Sequence, residues 1–284
     1  MKILLGDNQF FGINHNDIDK GDKTKDIFCE NKTIISFIDA TMDVGLSGFM
    51  MNSNLRGYDI TNSISKGFKG EIHYSVPYPH KFASMVNEGG MLMLLKYVFS
   101  KSSFRSCFLH FPAFLITGNI KYIMPLILDL EIPKNLKKGS FVYLQNIVTD
   151  LLLGMKRYDL LESFCRALSA KGYYPGLITL NPVLLDKVIS KFDLNIQMEL
   201  IVCFNINIDG FNVFPCLKDV EVLILKKSLY KKMGMSIMAS GGAGNIQESL
   251  HYIKNLPLDY VVYGSSNLNN ITSNYEALKQ QLRK

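Results

Sequence analysis

The sequence lacks the features that several common classes of protein require. Its five cysteines include no CxxC pair, and an odd number argues against a closed disulfide framework. The N-terminal stretch MKILLGDNQFFG has no long apolar h-region, so no secretory signal peptide is predicted. No uninterrupted apolar run approaches the roughly 20 residues of a membrane span. We therefore expect a soluble, cytoplasmic protein with no membrane partner.

Concentrated charge and metal-binding motifs are also missing. The net charge of +6 comes from scattered lysines, and no basic block alternates with aromatic residues, so no nucleic-acid partner is predicted. The five histidines are isolated and form no HxH or HExxH motif, so no metal site is predicted. The absence of GxGxxG after an early strand weakens a Rossmann dinucleotide site. No predicted strand interior contains a lysine, which argues against a Schiff-base aldolase.

Short β-type runs alternate with longer segments of helical period, the pattern of parallel α/β architecture. Together with the length of 284 residues, this predicts a single (β/α)8 TIM barrel domain over 1–284. The predicted strands are 3–6, 48–51, 72–76, 141–144, 177–180, 200–204, 236–239 and 260–263. Helical segments lie between them, the third at 80–99.

Residues 100–139 do not fit the eightfold count. They are too long for a connection, and we predict a helical insertion between the third helix and the fourth strand. A nine-strand alternative stays open, because RSCFLHFPAF is compatible with a strand and IKYIMPLILDL with a helix. The apolar character of the segment also suggests a subunit interface and a homo-oligomer.

Polar residues follow nearly every predicted strand, where the active site of a (β/α)8 barrel lies. Amides both donate and accept hydrogen bonds, so a ring of them suits a hydroxylated or heterocyclic small molecule. Asparagine is also a good turn and helix-cap residue, which is the alternative for any one of them. The predicted substrate-binding residues are Asn8, Gln9, Asn52, Asn54, His80, Asn205 and Asn207.

Asp7 is the predicted general acid or base. A carboxylate at a barrel mouth can be desolvated, which raises its pKa towards neutrality. An Asx turn or a structural salt bridge is the alternative role for Asp7. His15, further along the same loop, is a candidate proton partner or lid residue. Asn146 and Asn181 complete the predicted catalytic set.

Two glycine- and serine-containing stretches, MASGGAGN and YGSSNLNN, follow the seventh and eighth predicted strands. In barrels these two loops commonly bind phosphate through the backbone N–H groups of a glycine turn and a helix start. A glycine-rich turn with a serine N-cap is the alternative. The predicted phosphate-binding residues are Ser240, Gly241, Gly242, Ala243, Gly244, Gly264, Ser265 and Ser266.

The segments IMASGGAGN and VVYGSS, within residues 237–266, resemble the last quarter of phosphate-binding (β/α)8 barrels. The similarity is greatest to the cyclase subunit of imidazole glycerol phosphate synthase. It implies the barrel fold and a phosphate site rather than a particular reaction. It also implies acid–base aspartates after the first and fifth strands. Asp7 stands at the first of these places, and Asn181, which cannot titrate, stands at the second.

The leading hypothesis is an enzyme of the lyase, isomerase or cyclase type that acts on a phosphorylated small molecule by proton transfer. It has no predicted cofactor. A second hypothesis assigns the phosphate to FMN, which makes the protein an oxidoreductase. A third is a non-catalytic ligand-binding or assembly barrel, favoured by the scarcity of titratable groups at the predicted mouth.

Overall fold

In the computed structural model, eight parallel strands close into a barrel. The structure describes residues 1–13, 24–78, 87–90, 121, 124–239 and 245–279. Each strand pairs with the next along the chain, and the last pairs with the first. The predicted (β/α)8 architecture is confirmed. The strands are β1 (Lys2–Leu5), β2 (Gly48–Asn52), β3 (Glu71–Val76), β4 (Phe141–Leu144), β5 (Tyr174–Thr179), β6 (Ile201–Asn205), β7 (Lys231–Met235) and β8 (Tyr260–Tyr263).

Helices follow the strands and cover the outside of the barrel. They are α1 (Asn31–Val44), α2 (Leu55–Ile64), α3 (Met124–Glu131), α4 (Asn146–Gly154), α5 (Tyr158–Ala170), α6 (Pro182–Ile189), α7 (Leu194–Glu199), α8 (Leu217–Leu225), α9 (Ile246–Lys254) and α10 (Leu268–Lys279). Most of the predicted insertion at 100–139 and of the predicted third helix lies outside the described residues. Within the insertion, α3 is helical. Among the described residues, no helix is both long and apolar enough to cross a bilayer.

Two apolar layers hold the barrel together. The larger one lies between strands and helices, where α5 buries Leu161, Phe164 and Leu168 at helical spacing. The smaller one fills the barrel interior and includes Tyr143 of β4. A Cβ atom on Gly176 would lie 2.1 Å from the ring of Tyr143. Glycine at this position of β5 therefore makes room for the aromatic ring inside the barrel.

The seventh strand lies earlier than the sequence predicted. Ser236 and Ala239, within the predicted strand 236–239, have φ values of 56° and 45°, which are incompatible with a strand. The strand itself, Lys231–Met235, begins with two lysines and was therefore overlooked. Lys232 is buried, and its Nζ donates to the carbonyl of Ile224 at 2.9 Å and to that of Lys226. Lys232 thus caps the C-terminus of α8, which is a structural role and not that of a Schiff-base lysine.

Candidate functional site

The C-terminal ends of the strands form the barrel mouth. Side chains alternate between the two faces of a strand. On each strand, the residue two positions after the last residue of the interior layer therefore also faces the barrel axis, at the mouth. We call these residues the mouth ring. No member of the mouth ring is charged. Its members are Gly6, Asn52, Ser75, Gln145, Leu180, Asn205, Met235 and Gly264.

Asp7 supplies the carboxyl group beside the mouth ring, immediately after β1. One of its oxygens, Oδ2, accepts hydrogen bonds from the backbone N of Asn52 at 2.7 Å and from Asn52 Nδ2 at 2.6 Å. Burial raises the pKa of Asp7 to about 6, although the hydrogen bonds from Asn52 oppose this rise. A carboxyl group with this pKa exchanges protons near neutral pH, as a general acid or base must.

Asn52 and Asn54 are linked to Asp7 in one chain of hydrogen bonds. Asn52 Oδ1 accepts from the backbone N of Asn54 at 3.0 Å. Asn54 is the N-cap of α2, and its Oδ1 accepts from the backbone N of Gly57 at 2.6 Å. Both amides, predicted to bind substrate, are therefore engaged with the protein itself.

Three further side-chain amides lie at or just after the ends of β4 and β6, and each has its own hydrogen-bond partner. Gln145 Nε2 lies 3.4 Å from Ser75 Oγ, its neighbour in the mouth ring at the end of β3. Asn205 Nδ2 donates to the carbonyl of Asn212 at 2.8 Å. Asn207 is fully buried, and its amide bonds to both the N–H and the carbonyl of Phe211 at 2.8 Å. Asn207 thus organises the loop after β6, whereas Gln145 and Asn205 retain hydrogen-bonding capacity at the mouth.

The two asparagines predicted to be catalytic lie at helix starts. Asn181 is the N-cap of α6 and accepts from the backbone N of Leu184 at 3.0 Å. Asn146 is the first residue of α4. Beside Asn181 lies Asp150, which accepts from Thr179 Oγ1 at 2.5 Å and from the backbone N of Leu180 at 2.9 Å. Burial raises the pKa of Asp150.

A buried carboxyl group that the sequence analysis did not single out contacts the residue after Asn52. Glu131, at the end of α3, is fully buried, and its Oε2 accepts from Ser53 Oγ at 2.5 Å. Ser53 follows Asn52 directly, so this bond joins α3 to the end of β2. The two residues are 78 positions apart, and no sequence motif connects them.

The corner where phosphate binding was predicted is partly filled by protein. A Cβ atom on Gly264 would lie 2.3 Å from Gln9 Oε1, so the buried amide of Gln9 occupies the space beside the end of β8. At α9, Asn245 Oδ1 accepts from the backbone N of Gln247 at 3.0 Å and of Glu248 at 3.3 Å. These helix amides already have an acceptor, and the Glu248 carboxylate in the same turn repels an anion.

Several predicted site residues have no described contacts or lie at the surface. His15, His80 and residues 240–244 lie outside the described residues. Asn8 is exposed, whereas Ser265 and Ser266 are half-buried in the loop after β8. Ser265 Oγ accepts from the backbone N of Asn267 at 3.2 Å. Among the described residues, no three His, Cys, Asp or Glu side chains are grouped to hold a metal ion.

A second polar cluster lies inside the opposite end of the barrel. His73 is fully buried, with Nδ1 2.6 Å from Tyr143 OH and Nε2 3.4 Å from Glu71 Oε2. Burial lowers the pKa of His73. Burial acts to raise the pKa of Glu71, but hydrogen bonds from His73 and Lys2 outweigh it and bring it to about 2. A neutral His73 that donates from Nε2 to Glu71 and accepts at Nδ1 from Tyr143 satisfies this arrangement.

Comparisons with known proteins find solved structures that share this barrel fold. No protein-family model and no curated protein matches the sequence. A thermostable aldo-keto reductase in complex with the inhibitor epalrestat matches with a TM-score of 0.57 and 11% identity, over 99% of this chain and 91% of that one. A putative aldo-keto reductase from Pseudomonas aeruginosa matches with a TM-score of 0.55 and 11% identity, over 97% and 88%. An aldo-keto reductase from Klebsiella pneumoniae in complex with NADPH matches with a TM-score of 0.52 and 10% identity, over 99% of this chain and 86% of that one.

The chain shares the fold of these aldo-keto reductases. Our prediction of a cyclase-type phosphate-binding barrel is therefore wrong, because these structural neighbours are oxidoreductases. The predicted lyase, isomerase or cyclase activity on a phosphorylated substrate is wrong for the same reason. The cofactor predictions, none or FMN, are also wrong, since the Klebsiella structure contains NADPH.

Proposed function

We propose that this protein is a nicotinamide-dependent oxidoreductase that reduces the carbonyl group of a small neutral substrate. One observation carries the proposal: Asp7, with a pKa raised to about 6, stands at the mouth of a barrel shared with aldo-keto reductases. The uncharged mouth ring favours a substrate without a carboxylate or phosphate, because a buried anion needs a compensating cation.

The residues present fit a nicotinamide cofactor. Its carboxamide both donates and accepts hydrogen bonds, and Gln145 and Asn205 offer the complementary groups. Gln9 Oε1 is a buried acceptor that has no partner within the described part of the chain.

Carbonyl reduction requires a hydride at carbon and a proton at oxygen. The reduced nicotinamide, when bound, supplies the hydride. Asp7 in its neutral form gives its proton to the carbonyl oxygen and becomes a carboxylate, whose Oδ2 keeps both hydrogen bonds from Asn52.

Fluorescence titration with NADPH, NADH and FMN, followed by turnover assays on a panel of aldehydes and ketones, tests this proposal. We expect binding of a reduced nicotinamide and its oxidation by at least one carbonyl compound. Asp7→Asn should lower the rate by about 10²–10⁴-fold and leave cofactor binding unchanged, because only proton donation is lost. Asp193→Asn is the matched control, an N-cap of α7 that accepts from Asn195. Failure to bind either nicotinamide, or full activity of Asp7→Asn, would refute the proposal.

A further inference from the structure

The side-chain amide of Asn52 is held in one orientation. Its Oδ1 accepts from the backbone N of Asn54, and its Nδ2 donates to Asp7 Oδ2. Turning the amide over would place its NH₂ group against the N–H of Asn54 and its oxygen against the Asp7 carboxyl group. One contact would then face two donors and the other two acceptors. Only the observed orientation therefore satisfies the hydrogen bonds.

The backbone around Asn52 is held as well. Asn54 Oδ1 caps α2 through the N–H of Gly57. A Cβ atom on Gly57 would lie 2.3 Å from the carbonyl oxygen of Asn52, so the first turn of α2 packs directly on this residue. The donor groups of Asn52 are therefore fixed in place before any ligand binds.

The two donors of Asn52 meet the same carboxyl oxygen. Asp7 Oδ2 accepts at 2.7 Å from the backbone N and at 2.6 Å from Nδ2. An oxygen that accepts two N–H groups at these distances has no room for a proton of its own. We propose that Asn52 is a positioning residue that keeps Oδ2 of Asp7 as an acceptor and confines the transferable proton to Oδ1. This inference rests on the proposed function, in which Asp7 is the proton donor.

Among the described residues, no neighbouring charge adds to the effect of Asn52 on the pKa of Asp7. Within the described residues, the pKa of Asp7 is set by burial, by hydrogen bonds from Asn52 and by the backbone N–H of Asp7 itself. The mouth ring that faces Asp7 carries no titratable side chain. A change at Asn52 should therefore appear directly in the titration of Asp7.

NMR titration of the Asp7 carboxyl carbon tests the inference without substrate. In Asn52→Ala the side-chain donor is lost and the backbone donor stays, so the pKa of Asp7 should rise by about one unit. The pH dependence of carbonyl reduction should move to higher pH by the same amount. Asn62→Ala is the matched control, because Asn62 is also half-buried and bonds across elements to the backbone N of Asn135, without contacting Asp7.

Asn52→Asp keeps the shape of the side chain and serves if the alanine variant does not fold. It places two carboxyl groups within hydrogen-bond distance, so the pair should share a proton and titrate in two separated steps. An unchanged Asp7 titration in the folded variant, or an equal shift in Asn62→Ala, would overturn the inference. The titration needs no turnover, so the two proposals are tested separately. Absence of carbonyl reduction in the activity assay would refute the proposed function, whereas the titration alone tests the role of Asn52.

Discussion

Raising the pH should slow the proposed carbonyl reduction, because Asp7, the proposed proton donor, loses its proton. With a pKa of about 6, Asp7 is half protonated near pH 6. Its protonated fraction falls to about 9% at pH 7 and about 1% at pH 8. The value of kcat/KM for reduction should therefore fall about tenfold for each pH unit above 7. Oxidation of the corresponding alcohol needs the carboxylate and should increase over the same range.

The same pKa has a consequence for stability that needs no substrate. The pKa of Asp7 is raised from 3.8 in the unfolded chain to about 6 in the folded one, so the folded state binds the proton more tightly. Ionised Asp7 therefore lowers stability, and this loss develops as the pH rises from about 4 to about 6. Two pKa units correspond to about 3 kcal/mol. Asp7→Asn should raise the free energy of unfolding at pH 8 by up to this amount, and by much less at pH 4.

Steady-state kinetics from pH 5 to 9, and urea unfolding of both forms at pH 4 and pH 8, measure the two effects. The residual activity of Asp7→Asn should have no break near pH 6. A wild-type profile that is flat through this range would contradict the assignment of Asp7 as donor. An identical break in wild type and Asp7→Asn would contradict it equally. If Asp7→Asn has the same free energy of unfolding as the wild type at pH 8, burial does not raise the pKa of Asp7.

Three further changes test the packing around the barrel. In the Asp7→Asn background, which removes the opposing titration of Asp7 between about pH 4 and 6, lowering the pH should reduce the free energy of unfolding, first below about 6.5 and then towards 2, because His73 resists protonation and Glu71 loses its charge. Adding Glu71→Gln should make the free energy of unfolding, measured by urea titration, fall less steeply below pH 4.5. Gly264→Ala should cost about 1–3 kcal/mol through its clash with Gln9, and Gln9→Ala should relieve part of that cost in the double variant. Lys232→Met should lower the thermal midpoint by removing the cap of α8 at a cost of about 1–3 kcal/mol, with the reduction rate unchanged.

The phosphate prediction shows where local pattern misleads. A glycine-rich turn before a helix is compatible with an anion cradle and with a self-capped helix start, and the residues are similar in both. Asn245 and Glu248 form the second arrangement, in which Asn245 Nδ2 donates to Glu248 Oε1 at 2.9 Å. An asparagine followed three residues later by a glutamate is itself a capping signature. That signal was present in the sequence and favours the self-capped interpretation.

The sequence by itself determined the barrel and the place of Asp7 directly after its first strand. Strand and helix periods are local properties, so they predicted the eight-stranded closure, and β4 and β8 lie where they were expected. The position of Asp7 after the first strand made it the candidate acid. Only the tertiary structure decided how that acid is controlled. Asn52 reaches Asp7 across 45 residues, and Glu131 reaches Ser53 across 78. Such pairs are set by the closure of the barrel, which brings strand ends together in space, and no short-range pattern in the chain encodes which two side chains will meet.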